Sequence, residues 1–412
     1  MGRPILVRGA RQLLTLQGPP GPRRGNDLRN LGLVQDGSVL ILDGRVRDVG
    51  STRRLENLAV ARDAIEINAA GRVVMPGFVD SHAYLVSGPS RLAEFEAMIA
   101  GEPKESHMNV SRGIETTSGS TLAHRALRTL QDCVREGTTM IEAKSGFGLS
   151  PAGELKTLRI HALLHEQPIP VVSTAMLSRE FEGGPLEYLA RVLPVVRRRH
   201  LAEFVDVEYD EGGYGYEECR EFLRAARRLG FGLKLHGGER SQTRVAELAL
   251  ETGATNIAQL IFVNPAQIAL LAREGVIATL LPGSVFYLGG DRYAPARKLI
   301  DAGVPVAIAT NYNPRTCPSH NMQMMIALAC RAMRMSPAEA ISAATINGAH
   351  ALRRANRVGS IEYGKDADLV VLSAPDYREL PYHFGVNLVE TTICRGEVIY
   401  NRAEVTVPKI AG

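Results

Sequence analysis

The chain has 412 residues, a formal net charge of +4, and 45% apolar and 22% charged residues, as expected for a soluble globular protein. This length suffices for one large domain with a small one, or for two ordinary domains. The charge is mild and the arginines are scattered, so we predict no nucleic-acid partner. Because no apolar run approaches the roughly 18 residues of a membrane span, we also expect no membrane association.

The cysteines indicate a reducing environment. They lie at positions 133, 219, 317, 330 and 394, an odd number without a C-x-x-C pair. This pattern predicts reduced thiols in a cytoplasmic protein. The N-terminal stretch MGRPILVRGARQLLTL alternates like a strand and lacks a continuous apolar segment, so we interpret it as structure and not as a signal peptide.

Strand-like segments lie at both ends of the chain. Residues 38–50 and 63–77 precede the central region, and residues 367–373 and 389–401 follow it. Their turns contain Gly and Asp, which is typical of hairpins. The simplest assembly is a small β-sandwich domain built from both chain ends, residues 1–72 and 362–412.

Between these ends, short apolar runs alternate with helix-like stretches. Near-continuous Val, Ile, Leu and Ala runs fit strands buried on both faces of a parallel sheet. The runs are residues 72–80, 138–144, 168–176, 203–209, 231–238, 254–262, 276–282 and 304–311. Helical patterns such as YEECREFLRAARRLG (216–230) close on a glycine. This order predicts an α/β fold with a (β/α)8 TIM-like barrel over residues 73–361, and a doubly wound open sheet is the alternative.

Several segments resemble the metal-dependent amidohydrolase superfamily. They include PGFVDSH (76–82), EAKSGFGLS (142–150), LKLHGGE (233–239), AIATNYNPRTCP (307–318) and GKDADLVVL (364–372). Within that superfamily, the chain is most similar to the imidazolonepropionases, which open a cyclic amide. The resemblance implies a barrel that acts on the C–N bond of a small cyclic amide.

The metal-ligand positions of the superfamily have changed. Its strand-one histidine pair corresponds to His82 and Tyr84, its strand-five histidine to His236, its strand-six histidine to Gln259 and its strand-eight aspartate to Asn311. Gln and Asn offer neutral carbonyl oxygens, and tyrosine ionises only near pH 10. We therefore expect no tightly bound metal and no cofactor. Zinc or iron would bind weakly, through His82 and His236.

The resemblance also implies roles for the remaining pocket residues. Glu239, His236 and His82 are the candidate acid–base groups, and Arg91 corresponds to an arginine that meets the substrate carboxylate. The other predicted substrate-binding residues are Tyr84, Phe147, Gln259, Asn311 and Asn313.

Two main functions remain open from the sequence, beside a structural role as one subunit of an assembly with an active relative, on which the sequence is silent. The first is a hydrolase for a small anionic cyclic amide that works with an incomplete ligand set. The second is a non-catalytic or metal-independent relative that binds such a ligand. We expect a homodimer in either case, because dimers are usual for the proteins that this chain resembles.

Overall fold

The computed structural model describes residues 3–101, 109–165 and 168–404. Its strands, in chain order, are β1 (Ile5–Leu14), β2 (Leu33–Leu42), β3 (Arg45–Ser51), β4 (Ile65–Asn68), β5 (Val73–Pro76), β6 (Phe78–Asp80), β7 (Thr138–Lys144), β8 (Val171–Leu177), β9 (Phe204–Tyr209), β10 (Gly232–Gly237), β11 (Asn256–Gln259), β12 (Ile277–Leu280), β13 (Val306–Ile308), β14 (Leu369–Leu372), β15 (Val389–Cys394) and β16 (Glu397–Asn401).

Strands β6 to β13 form a parallel sheet in chain order. Its two edges meet just beyond the strands, where Asn311 N donates to His82 O and Tyr84 N donates to Tyr312 O, both at 2.8 Å. Asp80 adds a side-chain link, because its carboxylate accepts from Thr310 N at 3.1 Å. The predicted barrel is therefore confirmed over the open sheet.

The first predicted run, residues 72–80, divides between the two sheets of the molecule. Val73–Pro76 pairs with β1 and β14, whereas Phe78–Asp80 pairs with β7. Gly77 lies between them, and a Cβ atom there would approach Thr139 Cγ2 to 2.2 Å. Glycine thus lets the chain pass from the small domain into the barrel.

Strands from both chain ends form the second, mixed sheet in the order β16-β15-β14-β5-β1-β2-β3, with β4 paired to β1. Buried apolar side chains from both ends pack into one cluster, including Val7, Val39, Leu369 and Ile393. The predicted small β-domain is confirmed, and its exact boundaries stay a prediction. Residues 405–412 of that prediction lie outside the described part of the chain.

The helices lie mostly between the barrel strands and after the last of them, and the first helix packs on β2 and β3 of the second sheet. They are α1 (Thr52–Leu55), α2 (Leu92–Ile99), α3 (Asn109–Thr116), α4 (Gly119–Arg135), α5 (Pro151–Leu163), α6 (Gly184–Glu187), α7 (Leu193–Arg198), α8 (Tyr216–Arg228), α9 (Val245–Thr252), α10 (Pro265–Glu274), α11 (Pro282–Tyr287), α12 (Ala296–Asp301), α13 (Met322–Met333), α14 (Pro337–Ala344), α15 (Ile346–Ala351) and α16 (Glu379–Tyr382). Among residues 3–101, 109–165 and 168–404, no helix is both long and apolar enough to cross a membrane.

Candidate active site

The predicted site residues follow the carboxyl ends of the barrel strands. His82 lies just after β6, His236 lies in β10, Gln259 ends β11 and Asn311 lies just after β13. Because all barrel strands run parallel, these ends meet at one mouth, the face where barrel active sites lie. The structure brings the two histidines into contact, with 5.4 Å between the centroids of their rings.

Two cavities open at this mouth. The inner chamber, of about 100 Å³, is lined by Tyr84, Phe147, Met176, Glu208, His236 and Asn311, among others. The outer chamber, of about 550 Å³, is lined by Arg91, Phe95, Gln259, Ser284, Tyr287 and Arg292, among others. The two chambers share a wall formed by Arg179, Glu239, Arg240, Arg315 and Thr316.

A short turn places Glu239 beside His236. Strand β10 ends at Gly237, and Gly238 adopts a left-handed conformation with a φ of +69°. The chain reverses there, and Nε2 of His236 lies 3.2 Å from Oε2 of Glu239. Asp210 holds the turn, because its carboxylate accepts from the backbone N–H of Glu239 at 2.5 Å. The result is a carboxylate–imidazole pair at the wall between the chambers.

The electrostatics of this pair favour an ion pair. Burial lowers the pKa of His236, but its hydrogen bond to Glu239 and the charge of that carboxylate more than offset burial and raise the pKa overall. Burial raises the pKa of Glu239, but the bond to His236 and the nearby Arg179 and Arg315 lower it overall. Each partner therefore stabilises the charged form of the other.

Aromatic rings form the inner end of the site. The ring of Tyr84 contacts His82 at a centroid distance of 5.7 Å and Phe147 at 5.0 Å. The Tyr84 hydroxyl donates to Sδ of Met176 at 3.0 Å. His82 is fully buried and does not line either chamber, so it lies behind the residues that a ligand could touch.

Amide side chains occupy the ends of β11 and β13. Asn311 donates from Nδ2 to Ser284 Oγ at 2.8 Å, and Asn313 donates from Nδ2 to the Asn311 carbonyl at 2.6 Å. Gln259 and Asn311 both have positive φ angles, +83° and +53°. Asparagine tolerates this conformation better than most residues, and backbone strain of this kind clusters at functional sites.

Arg91 is the predicted carboxylate-binding residue, and it lines the outer chamber. Its side chain is only 4% exposed and forms an ion pair with Glu94. Its Nε and Nη1 atoms are buried without a hydrogen-bond partner in the described part of the chain. A buried guanidinium with unused donors suits an anionic ligand group.

The donor chemistry of the site does not match a tight catalytic metal centre. Within the described ranges, no group of three or more His, Cys, Asp or Glu side chains could hold a metal ion. The residues at the superfamily's ligand positions offer two imidazoles and neutral oxygens, whereas a catalytic zinc usually takes about three protein ligands rich in imidazole, thiolate or carboxylate. The hydroxyl of Tyr84 is already bonded to a protein atom. These residues do not fit the metal that the superfamily resemblance implies.

The sequence did not reveal how charges are arranged beneath this site. Lys144 Nζ lies 2.5 Å from Asp206 Oδ2 and 3.4 Å from Glu142 Oε1, and Lys234 Nζ lies 2.7 Å from Glu142 Oε1. We call these four residues the buried charge network. Glu142 is close to Lys144 in sequence, but Asp206 is the nearer partner of that lysine in space. The sequence feature that could have indicated this network is a charged residue inside an apolar strand, as in FVDVEY and LKLH.

Comparison with known proteins identifies the protein family to which this chain belongs. The model of the amidohydrolase family matches residues 73–399. The fold is similar to that of a zinc-bound adenosine deaminase from Xanthomonas campestris, with a TM-score of 0.72 and 19% identity over 96% of this chain and 92% of that one. It is also similar to guanine deaminase from E. coli, with a TM-score of 0.73 and 15% identity over 98% and 100% of the two chains. The chain belongs to the amidohydrolase family.

Relatives at higher identity narrow this assignment. Imidazolonepropionase from Parabacteroides distasonis is 41% identical over 96% of this chain and 98% of its own length. Imidazolonepropionase from Geobacillus kaustophilus is 40% identical over 98% and 100% of the two chains. Within the amidohydrolase family, this protein is therefore imidazolonepropionase-like.

Proposed function

We propose that the protein hydrolyses a C–N bond of a small anionic cyclic amide and that Glu239 and His236 perform the proton transfers. The observation that carries this proposal is the 3.2 Å contact between Nε2 of His236 and Oε2 of Glu239 at the wall of both chambers. The name of the relatives supports the choice of a cyclic amide. The incomplete donor set supports chemistry that depends on side chains.

The proposed reaction starts with water held beside Glu239. The carboxylate accepts a proton from this water as the oxygen attacks the amide carbonyl, and the carbonyl π electrons move onto its oxygen. The C–N bond then breaks, and the protonated Glu239 returns the proton to the leaving nitrogen. His236 stabilises the negative form of Glu239 through the hydrogen bond between them. Burial lowers the pKa of His236, but this bond and the charge of Glu239 raise it overall.

Positive charge surrounds the reacting groups. Arg179, Arg240 and Arg315 line both chambers, and they suit a ligand that is anionic before attack and gains charge during it. Arg179 is paired with Glu208 at 3.6 Å and Arg315 with Glu180 at 2.7 Å. The ligand carboxylate would meet the unused donors of Arg91.

The test uses the full chain after treatment with a metal chelator. Ring opening of imidazolone propionate and of five-membered cyclic amides that carry a carboxylate side chain is followed by ultraviolet absorbance. We expect turnover to persist, and Glu239→Gln to lower kcat by about 10² to 10⁴-fold. The matched control is Glu187→Gln. This carboxylate forms an ion pair with Arg191 at 2.8 Å and lines neither chamber. Turnover that appears only after zinc is added, or full activity in Glu239→Gln, would contradict the proposal.

One observation favours a second candidate, a ligand-binding protein without turnover. The end of β13 carries Asn311, and an amide cannot accept the proton that a carboxylate there would accept. If the cyclic amides bind in calorimetry but are recovered unchanged, this second function replaces the first.

A further inference from the structure

The two chambers differ in size in a way that constrains the ligand. The inner chamber measures about 100 Å³ and the outer chamber about 550 Å³. A small amide ring placed against Glu239 would fill the inner chamber and leave most of the outer one to water. Ligand pockets usually bury most of the surface of their ligand, so the outer chamber indicates a second part of the molecule.

Apolar and aromatic side chains line the far side of the outer chamber. The rings of Phe95, in α2, and Tyr287, in α11, are stacked, with centroids 5.6 Å apart and 17° between their planes. Met98, Val285 and Leu288 extend this lining. Phe95 is 38% exposed, although it sits beside a cavity and not on a flat surface. An aromatic surface of this kind gains free energy when an apolar group covers it.

Cationic groups also line the outer chamber. The guanidinium of Arg292 lies 3.9 Å above the ring centroid of Phe262, and both residues line the outer chamber. Arg91 brings its buried, unused Nε and Nη1 donors to the same cavity. The outer chamber therefore combines a place for an anionic group with a place for an apolar one.

We propose that the outer chamber binds an aryl or branched-alkyl substituent, so that the preferred ligand is a cyclic amide that bears both a carboxylate and this substituent. The proposal rests on the proposed function, which places the amide ring in the inner chamber. The ring then lies against Glu239, the carboxylate lies at Arg91, and the substituent covers Phe95 and Tyr287.

The test compares two probes by calorimetry on the full-length protein. The first probe is 5-(carboxymethyl)hydantoin, and the second is the same compound with a phenyl group on the methylene carbon. We expect the phenyl group to raise affinity by about tenfold, because an aromatic contact and the burial of apolar area contribute a free energy of this size. Phe95→Ala should reduce this gain, taken as the ratio of the two affinities measured on the same variant, to about twofold.

The control variant lies one turn earlier on the same helix. Leu92 is 69% exposed and does not line the outer chamber, so Leu92→Ala should keep the full gain from the phenyl group. If both probes bind equally to the unmodified protein, or if Phe95→Ala keeps the gain, the substituent proposal is wrong and the proposed function stands. If neither probe binds, the proposed function fails and this inference fails with it.

Discussion

The barrel interior contains two layers of buried polar side chains, and the layers differ in how these side chains are paired. In the buried charge network, each lysine has a carboxylate oxygen within 2.7 Å. In the layer above it, formed by His82, Tyr84, Gln259 and Asn311, no side chain carries a full charge at neutral pH. There, both ring nitrogens of His82, Nε2 of Gln259 and Oδ1 of Asn311 are buried without a partner in the described residues. Internal pairing suits the lower layer to stability. In the upper layer, which we call the neutral layer, Gln259 and Asn311 line the chambers, and their unused polar atoms suit a ligand.

Breaking the buried charge network should give the largest effect. Glu142→Gln removes the charge that lies 2.7 Å from Lys234 and leaves a fully buried ammonium without its nearest carboxylate. We expect the free energy of unfolding to fall by about 3–5 kcal/mol, measured by urea denaturation. The control is Glu203→Gln, which breaks a partly exposed pair with Arg354 and should cost at most about 1 kcal/mol. Equal losses for the two variants would show that the network is not a buried charge system.

Glu154 sharpens the comparison, because this buried carboxyl is held by neutral donors. It accepts from Gly146 N at 2.8 Å, Gly148 N at 2.9 Å and the Tyr188 hydroxyl at 3.2 Å. Burial, only partly opposed by these bonds, raises the pKa of Glu154 to about 7. The folded protein therefore holds this proton more tightly than the unfolded chain does.

The raised pKa predicts a pH dependence of stability. The contribution of Glu154 is fully present below its unfolded pKa of about 4.3 and is lost as pH rises through the folded pKa of about 7. Between pH 4 and pH 8 the loss should approach about 3 kcal/mol, at about 1.4 kcal/mol per pKa unit. Glu154→Gln should lack this component when urea denaturation is repeated across the range. An identical pH profile for variant and parent would rule out the raised pKa.

Restoring charge to the neutral layer should create the donor set that it lacks. Gln259→His with Asn311→Asp adds an imidazole and a carboxylate at the ends of β11 and β13. Asp is compatible with the φ of +53° at position 311. We expect zinc affinity in calorimetry to rise by at least about 100-fold, since altered supporting contacts alone change it by about 10 to 100-fold. The control, Gln259→Leu with Asn311→Leu, adds no donor and should show no gain.

The smallest effect is expected at Tyr84. Tyr84→Phe removes a hydroxyl that donates to Sδ of Met176 at 3.0 Å, and thioether sulfur is a weak acceptor. The free energy of unfolding should change by less than about 1 kcal/mol. Tyr188→Phe is the comparison, because its hydroxyl donates to the Glu154 carboxyl at 3.2 Å and should matter more. A larger loss at Tyr84 than at Tyr188 would assign a structural role to the neutral layer.

The sequence predicted the barrel well because its strands are buried on both faces. Runs such as VIATLLP (276–282) show that burial as nearly continuous apolar residues, and β12 (Ile277–Leu280) lies within this run as expected. The expected positions of His82, His236 and Asn311 at the carboxyl ends of the strands came from the resemblance to the superfamily combined with the strand order. The division of residues 72–80 between two sheets could not be predicted, because the space that excludes a Cβ atom at Gly77 is set by Thr139, which is distant in sequence.

The details of the site depended on contacts between distant segments. The pairing of Lys144 with Asp206 joins β7 to β9, and sequence proximity favoured Glu142 instead. The position of His82 behind the chambers also depends on how Tyr84 packs against Phe147. The roles that the resemblance assigns to Glu239, His236, Arg91 and Asn313 stay predictions until the variants are measured.

Metal retention is the most direct test of the neutral layer. The protein would be loaded with excess zinc, dialysed against a competing chelator and analysed for bound metal by mass spectrometry. We predict that far less than one equivalent of zinc remains per chain. One full equivalent, lost when His82 and His236 are both replaced by alanine, would contradict the account.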